Sequence, residues 1–276
     1  MKIDKLIIIV IICFQFFGCK LINPSNNSSG TFTYLWIASH KDTYISCGRM
    51  SQDGSCPEGN HNFGDITWLT VSRTLTGSLR TLKRTYVDFL LPTLPPGTEI
   101  NKAYLELFHG GSNEDGKTDD LTLEIQLATD NWNPMTLTYN NEPYFSTTGQ
   151  SHGLFLQSQN WCGSEDITQI MTDAISNPSN FYGFVVDYST WGQVDEMEKG
   201  FRSNNHTNRT VNDLDNSPRL LLKLELPSGS SVNDIVMPPL TSDNDLGHPP
   251  GTNVLILRSS NGEDWPSDWN VVAYDG

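Results

Sequence analysis

The sequence predicts an all-β protein, an antiparallel jelly-roll-like β-sandwich with one short amphipathic helix. Three observations predict this fold. Apolar and polar residues alternate along most of the periodic segments, turn-forming residues separate those segments, and a single segment has the helical period. Alternation with a period of two is typical of strands that bury one face, and a succession of such strands with turns between them is typical of two stacked antiparallel sheets.

The predicted strands begin after residue 30. In the clearest one, Leu121, Leu123, Ile125 and Leu127 alternate with polar residues. Turns rich in Gly and Pro, such as Pro95-Pro96-Gly97, lie between the strands. We predict strands at 31–38, 65–74, 79–91, 103–107, 121–127, 182–188 and 220–226.

One segment has the period of a helix. Its N-cap would be Ser164 or Asp166, and Asn177-Pro178 would end it. We assign its apolar face to the core at one end of the sandwich and assign no ligand to it. This face consists of Ile167, Ile170, Met171, Ala174 and Ile175.

The first residues have the pattern of a lipoprotein signal peptide, which we place at 1–18. Lys2 and Lys5 precede an apolar run that is shorter than the about 20 residues of a membrane-spanning helix. Gly18-Cys19 resembles the end of the lipobox of bacterial lipoproteins, so we expect Cys19 to be acylated, with ordinary secretion as the alternative. Residues 19–30 then form a flexible tether.

These features predict export. We expect the protein to be lipid-anchored at the bacterial cell surface, on the outer membrane, or secreted, with the lipid as its only contact with the membrane. The formal net charge of −15 argues against nucleic acid as a partner, because an acidic surface repels phosphate.

The cysteines fit an oxidising compartment. Cys47 and Cys56 lie in one turn-rich loop, and we predict a disulfide between them that leaves Cys162 free. No paired-cysteine or paired-histidine spacing indicates zinc, and we predict no cofactor.

Several short motifs follow one another over residues 38–226. They are Asp42-Thr43-Tyr44, Asn62-Phe63-Gly64, Arg84-Thr85-Tyr86-Val87-Asp88-Phe89, Leu94-Pro95-Pro96-Gly97, Leu137-Thr138-Tyr139-Asn140-Asn141-Glu142-Pro143, Phe201-Arg202-Ser203 and Ser217-Pro218-Arg219-Leu220. In this order they resemble the DNRLRE domain family, also grouped with carbohydrate-binding module family 96 and the disaggregatase-related repeats. The resemblance implies a jelly-roll-like sandwich of secreted or cell-surface proteins, one often attached to polysaccharide-processing enzymes, and it fixes no ligand.

Two sets of residues are candidates for ligand binding. Sugar rings stack on flat aromatic side chains, so Trp191, Trp132 and Trp68 are candidate platforms, with burial in the core as the alternative for each. A basic cluster on two neighbouring strands could hold an acidic sugar, although a solvated sheet face explains the same residues. The cluster residues assigned to the ligand are Arg73, Arg80 and Arg84.

A structural calcium ion is an open alternative to the absence of cofactors. Asn113, Asp115 and Asp119 supply the oxygen atoms that calcium prefers, but their spacing does not match an EF-hand. A plain acidic hairpin loop is the preferred explanation of these residues.

The sequence indicates binding rather than catalysis. It contains no nucleophile elbow and no histidine ligand spacing, and we predict that the protein is not an enzyme. We therefore expect a non-catalytic carbohydrate-binding lipoprotein whose sandwich, at 31–227, holds an anionic or neutral polysaccharide. The alternative is a structural or adhesion module of the cell envelope with a protein partner. Residues 228–276 form a Pro/Gly/Ser-rich C-terminal extension, either packed on the sandwich or free as a tail.

Overall fold

The structure is a computed structural model of the chain. It describes residues 32–109, 123–145, 152–158, 161–189, 198–203, 217–238, 255–258 and 270–273. Within these ranges the secondary structure is almost entirely β, with a single α-helix, and all strand pairs are antiparallel.

The bounds of the elements are as follows. The strands are β1 (Phe32–Ala38), β2 (Lys41–Met50), β3 (Trp68–Thr76), β4 (Leu79–Asp88), β5 (Glu99–Phe108), β6 (Leu123–Leu127), β7 (His152–Ser158), β8 (Trp161–Ser164), β9 (Phe184–Tyr188), β10 (Glu198–Arg202), β11 (Arg219–Glu225), β12 (Leu255–Arg258) and β13 (Asn270–Ala273). Helix α1 spans Thr168–Ser176, and 3₁₀ turns lie at Tyr139–Asn141, Pro178–Asn180 and Val232–Asp234.

The strands β1 to β11 form one curled sheet. Its order is β1-β11-β5-β8-β7-β6-β9-β4-β3-β10, and β2 pairs with β4 beside this path. Since β2 pairs along the length of β4, strands β3 and β9 must share the other edge of β4, and each pairs with a different half of it. A bridge between His109 and Phe201 brings β10 back to the end of β5. This antiparallel, curled architecture confirms the predicted all-β sandwich.

The main core lies inside the curl. Its buried side chains come from β1, β5 and β11 on one side and from β3, β4, β6 and β9 on the other, and they include Leu35, Leu105, Leu222, Val71, Val87, Phe184 and Val186. Helix α1 adds Ile170, Met171 and Ala174, so its apolar face is part of the core as the sequence predicts. Burial of these apolar surfaces is the main favourable contribution to folding.

A second, smaller core lies on the outer face of β4 and β9. It consists of Ile45, Tyr86, Ala128, Trp132, Leu137 and Val185. Residues 129–145, which we call the covering segment, lie over this face. Strand β9 is therefore buried on both faces, and all five of its residues are buried. This double burial explains why its sequence shows no alternation.

Four strands of the sheet lie outside the predicted set. Strands β2, β7, β8 and β10 were not predicted from periodicity, although the motif Asp42-Thr43-Tyr44 falls in β2. In β2 the buried residues include the polar Lys41, Asp42 and Thr43. A search for alternating apolar residues therefore does not detect this strand. Strand β10 is short and carries charges at Glu198, Lys199 and Arg202.

The folded domain continues beyond residue 227. Ile235 and Met237 belong to the main core, and Val236 pairs with Thr93 through two backbone hydrogen bonds. Strands β12 and β13 form a separate hairpin, and Cα atoms of β12 lie within 8 Å of those of β1. Within the described ranges, no helix is long and apolar enough to cross a membrane.

Candidate ligand-binding site

The predicted basic cluster forms an internal ion-pair network. Arg73 on β3 and Arg84 on β4 both bind Asp187 on β9, with N–O distances of 2.9 and 2.5 Å. Arg84 also donates to both carboxylate oxygens of Glu142, at 2.8 and 3.1 Å. The structure thus brings Arg73 and Arg84 together, as facing strands predict, but around two carboxylates of the protein itself.

Glu142 ties the covering segment to the sheet. The Tyr86 hydroxyl donates to its carboxylate at 2.8 Å, and Phe145 lies under the Arg84 guanidinium at 4.7 Å. Burial raises the pKa of Glu142, and Arg84 and Tyr86 partly oppose this rise. Burial alone would lower the pKa of Arg84, but Asp187 and Glu142 together raise it. The network therefore ties residues 129–145 to the outer face of the sheet.

The third arginine of the cluster lies on the same face. Arg80 is in register with Leu75, and Leu82, two residues along the strand, is in register with Arg73. Because side chains two residues apart on a strand share a face, Arg80 lies on the face of Arg73 and Arg84.

Trp132 is a core residue in the structure. It is 5% exposed, its indole N–H donates to the carbonyl of Tyr182 at 2.8 Å, and its ring meets Tyr86 edge to face. Lys41 lies over the ring at 4.6 Å. With one face against Lys41 and its N–H bonded, Trp132 offers no platform to a sugar, and the core alternative describes it.

Trp68 belongs to a surface cluster that was not predicted from the sequence. Its register partner on β10 is Arg202, whose guanidinium carbon lies 5.7 Å from the centroid of the Trp68 ring and 5.4 Å from that of Phe108. All three side chains are partly exposed. We call Trp68, Arg202 and Phe108 the edge-strand cluster, because β10 stands at the end of the strand order.

Among the residues that the structure describes, Arg202 has no acidic partner, whereas Lys41 and Arg219 each form an ion pair. Lys41 binds Asp88 at 3.0 Å, and Arg219, which lies over the Trp36 ring, binds Glu106 at 2.7 Å. Across the described ranges, Arg202 has no carboxylate within salt-bridge distance, and its enclosed Nε has no hydrogen-bond partner. A guanidinium held over aromatic rings without a counterion is suited to an oxygen-rich, acidic ligand.

Two more side chains, those of His109 and Lys199, lie near the cluster. His109 follows Phe108 and packs edge to face on Phe201. Burial, followed by the nearby charge of Lys199, lowers the pKa of His109. Lys199 lies on β10, three residues before Arg202.

Sequence reasoning found Trp68 but missed its partners. Phe108 could have been recognised, since it falls on the outward side of a strand whose inward residues are Ala103, Leu105 and Leu107. Arg202 appears in the Phe201-Arg202-Ser203 motif, but nothing local places β10 between β3 and the end of β5.

A disulfide closes the turn-rich loop. Cys47 and Cys56 are joined, and Gly59 and Asn62 of the same loop contact the covering segment, since Asn62 donates to the carbonyls of Pro134 and Leu137. Cys162 is a free, buried cysteine, and burial raises the pKa of its thiol to about 11.

Some predicted site residues lie outside the described residues. These are the acylation site Cys19, the platform Trp191 and the calcium candidates Asn113, Asp115 and Asp119. Among the residues that the structure does describe, no group of three or more His, Cys, Asp or Glu side chains could hold a metal ion.

The described strands form a curled antiparallel β-sandwich, an architecture that many binding domains share, and an aromatic and arginine cluster lies at its edge. The chain belongs to carbohydrate-binding module family 96, whose sequence profile matches residues 33–212. No curated protein matches the chain. Membership of this family indicates carbohydrate binding.

Proposed function

We propose that the protein is a non-catalytic carbohydrate-binding module of the bacterial cell surface, and that it holds an acidic polysaccharide at the edge-strand cluster. The observation that carries this proposal is Arg202, which lies over Trp68 and Phe108 and has no carboxylate partner among the described residues. Family membership supports the carbohydrate, and Arg202 supports the acidic group.

The chemistry of the cluster suits a uronate or sulfate. A guanidinium presents a planar set of N–H donors that matches a carboxylate or sulfate, and such charge-assisted bonds are about twice as strong as neutral ones. The flanking rings hold the guanidinium in place, so little side-chain entropy is lost on binding. Arg73 and Arg84 do not compete for the ligand, because Asp187 and Glu142 already neutralise them.

The test is titration calorimetry with defined oligosaccharides on Arg202→Ala. The probes are hexamers of galacturonate and mannuronate. We expect loss of Arg202 to raise the dissociation constant for a bound uronate hexamer about tenfold or more, the effect of one charge-assisted contact. Arg49→Ala is the matched control, because Arg49 is exposed and lies in β2, away from the cluster. Equal affinities of the two variants, or no uronate binding by the wild type, would refute the proposal.

The aromatic component has its own variant. Trp68→Ala removes one of the rings beneath Arg202, and we expect it to weaken uronate binding severalfold through loss of the fixed guanidinium position. Trp191→Ala tests the platform that was predicted outside the described residues. An effect of Trp191→Ala alone would move the site away from the edge-strand cluster.

Export and lipidation at Cys19 are part of the proposal. The Cys47–Cys56 disulfide supports an oxidising location, because such bonds persist outside the cytoplasm. We expect cells given an alkynyl palmitate to label the wild-type protein and to leave Cys19→Ala unlabelled. Labelling of both would disprove acylation at this residue, while a purely soluble, secreted product would favour export without lipid.

A further inference from the structure

A cavity of about 480 Å³ opens beside helix α1, at the opposite end of β5 from Phe108. Helix α1, the 3₁₀ turn at Pro178–Asn180 and the end of β6 enclose it. Its volume lies within the range of about 300 to 1,000 Å³ that is usual for small-ligand sites. No step of the proposed function uses this cavity.

The wall of the cavity has the composition of a sugar site. Its apolar lining residues include the aromatic Phe181 together with Leu127 and Ile170. Its rim is polar, with Asp173, Asn177 and Asn180 exposed. An aromatic side chain suits the C–H face of a pyranose, and amides together with a carboxylate suit its hydroxyl groups.

The rim groups retain hydrogen-bonding capacity. Asp173 accepts a hydrogen bond from Gln169 at 2.9 Å, and its second carboxylate oxygen makes no hydrogen bond within the part of the chain that the structure describes. Asn177 accepts from the Ser179 hydroxyl at 3.1 Å, while the Asn180 amide makes no hydrogen bond to any described residue. The residues that carry these donors and acceptors line a cavity of about 480 Å³.

The charge of the rim selects against acids. Asp166 and Asp173 both line the cavity; Lys102 offsets the charge of Asp166, so Asp173 carries the net negative charge of the rim. The side chains that enclose the cavity include no basic residue, so an anionic ligand would meet repulsion there. This preference is opposite to that of the edge-strand cluster.

We propose that this cavity is a second binding site, which takes a neutral sugar unit. The inference rests on the proposed function only for the chemical class of ligand, a carbohydrate, and it places that ligand at separate residues. Lys102, next to the cavity, and Phe108, in the edge-strand cluster, lie six residues apart on β5, which at the rise of an extended strand is about 20 Å. A change in one site therefore leaves the contacts of the other intact.

The test uses a substitution that fills the cavity. We expect at least one of the neutral hexaoses of cellulose, mannan, xylan and laminarin to bind the wild-type protein by titration calorimetry. Asn180→Trp should then raise its dissociation constant about tenfold or more, because the indole occupies the space of the sugar. Ser176→Trp is the matched control, since Ser176 is exposed at the end of α1, does not line the cavity and makes no hydrogen bond to a rim side chain. Asn180→Ala, which removes only the amide, tests the same site should the larger substitution disturb the fold.

The outcomes separate the two sites. Failure of all neutral hexaoses to bind, or equal affinity of Asn180→Trp and Ser176→Trp, would overturn the second site. Neutral binding that is lost in Arg202→Ala would also overturn it and assign the neutral sugar to the edge-strand cluster. Uronate binding that is insensitive to Arg202→Ala, together with neutral binding that is sensitive to Asn180→Trp, would retain the cavity and reject the proposed function.

Discussion

Arg84 shows how single residues on the outer face of the sheet are committed to structure. Its side chain is 11% exposed and contacts Asp187, Glu142 and the Phe145 ring. A buried charge is tolerated only with its partners in place, so the loss of one member leaves the others uncompensated. The contacts of Arg84 therefore give it a role in the stability of the fold.

Replacement of Arg84 by methionine should therefore destabilise the protein strongly. We expect Arg84→Met to lower the free energy of unfolding in urea by about 3 to 5 kcal/mol, because Glu142 and Asp187 remain as buried, unpaired carboxylates. The control Arg49→Met, at an exposed position, should change it by less than about 0.5 kcal/mol. A small effect of Arg84→Met would mean that the network is dispensable.

His109 should make stability depend on pH. Burial and the charge of Lys199 lower the pKa of His109 in the folded protein, so the neutral imidazole stabilises the fold above the unfolded pKa of about 6.5. This stabilisation is lost as the pH falls through the lower, folded value. We expect the melting temperature of the wild type to fall more steeply than that of His109→Gln between about pH 7 and pH 5. Parallel curves for the two proteins would contradict the lowered pKa.

At the scale of elements, the junction of β4 and β9 depends on a glycine. Gly183 precedes β9 with a φ of 86°, and a Cβ atom built there would lie 2.2 Å from the carbonyl oxygen of Val87. The glycine thus meets two requirements, a left-handed backbone and a close approach of two strands. Gly77, in the turn between β3 and β4, has a φ of 63° but no atom within 4 Å of its Cβ position.

The two glycines separate backbone strain from steric contact. We expect Gly77→Ala to cost about 1 kcal/mol, the penalty of the left-handed region alone. Gly183→Ala should cost about 3 kcal/mol or more, because β9 must also move away from β4. Denaturant unfolding of both variants measures the difference. Similar decreases in the free energy of unfolding for the two variants would show that β4 and β9 move apart at little cost at this junction.

At the scale of the whole molecule, the folded domain is longer than the segment that the family profile matches. The profile ends at residue 212, but Ile235 is 6% exposed in the main core and Val236, its neighbour, is 57% exposed. We expect Ile235→Ala to lower the free energy of unfolding by about 2 to 5 kcal/mol, because the smaller side chain leaves a cavity in the core. Val236→Ala should stay within about 0.5 kcal/mol. An equal, small loss in both would place these residues outside the cooperative domain.

The alternation of apolar and polar residues predicted those strands that have one face exposed to solvent. The alternation in 103–107 and 220–226 predicted β5 and β11, and the spacing of Ile170, Met171 and Ala174 predicted α1. The pattern failed for β2 and β10, where polar residues are buried or an edge strand is short and charged.

The candidate site could be predicted only in part from the sequence, because strands that are distant along the chain bring its residues together. Arg73 and Arg84 were correctly placed together on neighbouring strands, but the carboxylates that occupy them, Asp187 and Glu142, come from distant segments. Arg202 meets Trp68 and Phe108 because β10 pairs with β3 and bridges to the end of β5. Contacts of this kind depend on which strands are neighbours, and a period along one strand carries no information about that.

The buried position of Cys162 has a consequence for oxidation. Disulfide exchange needs a thiolate that is accessible to the disulfide. Burial makes the Cys162 sulfur inaccessible and, by raising its pKa, favours the uncharged thiol. Once the sheet has closed around it, Cys162 cannot attack the bond between Cys47 and Cys56. The finished fold thus protects its own cysteine pairing from scrambling, and only chains that have not yet folded are open to the wrong pairing.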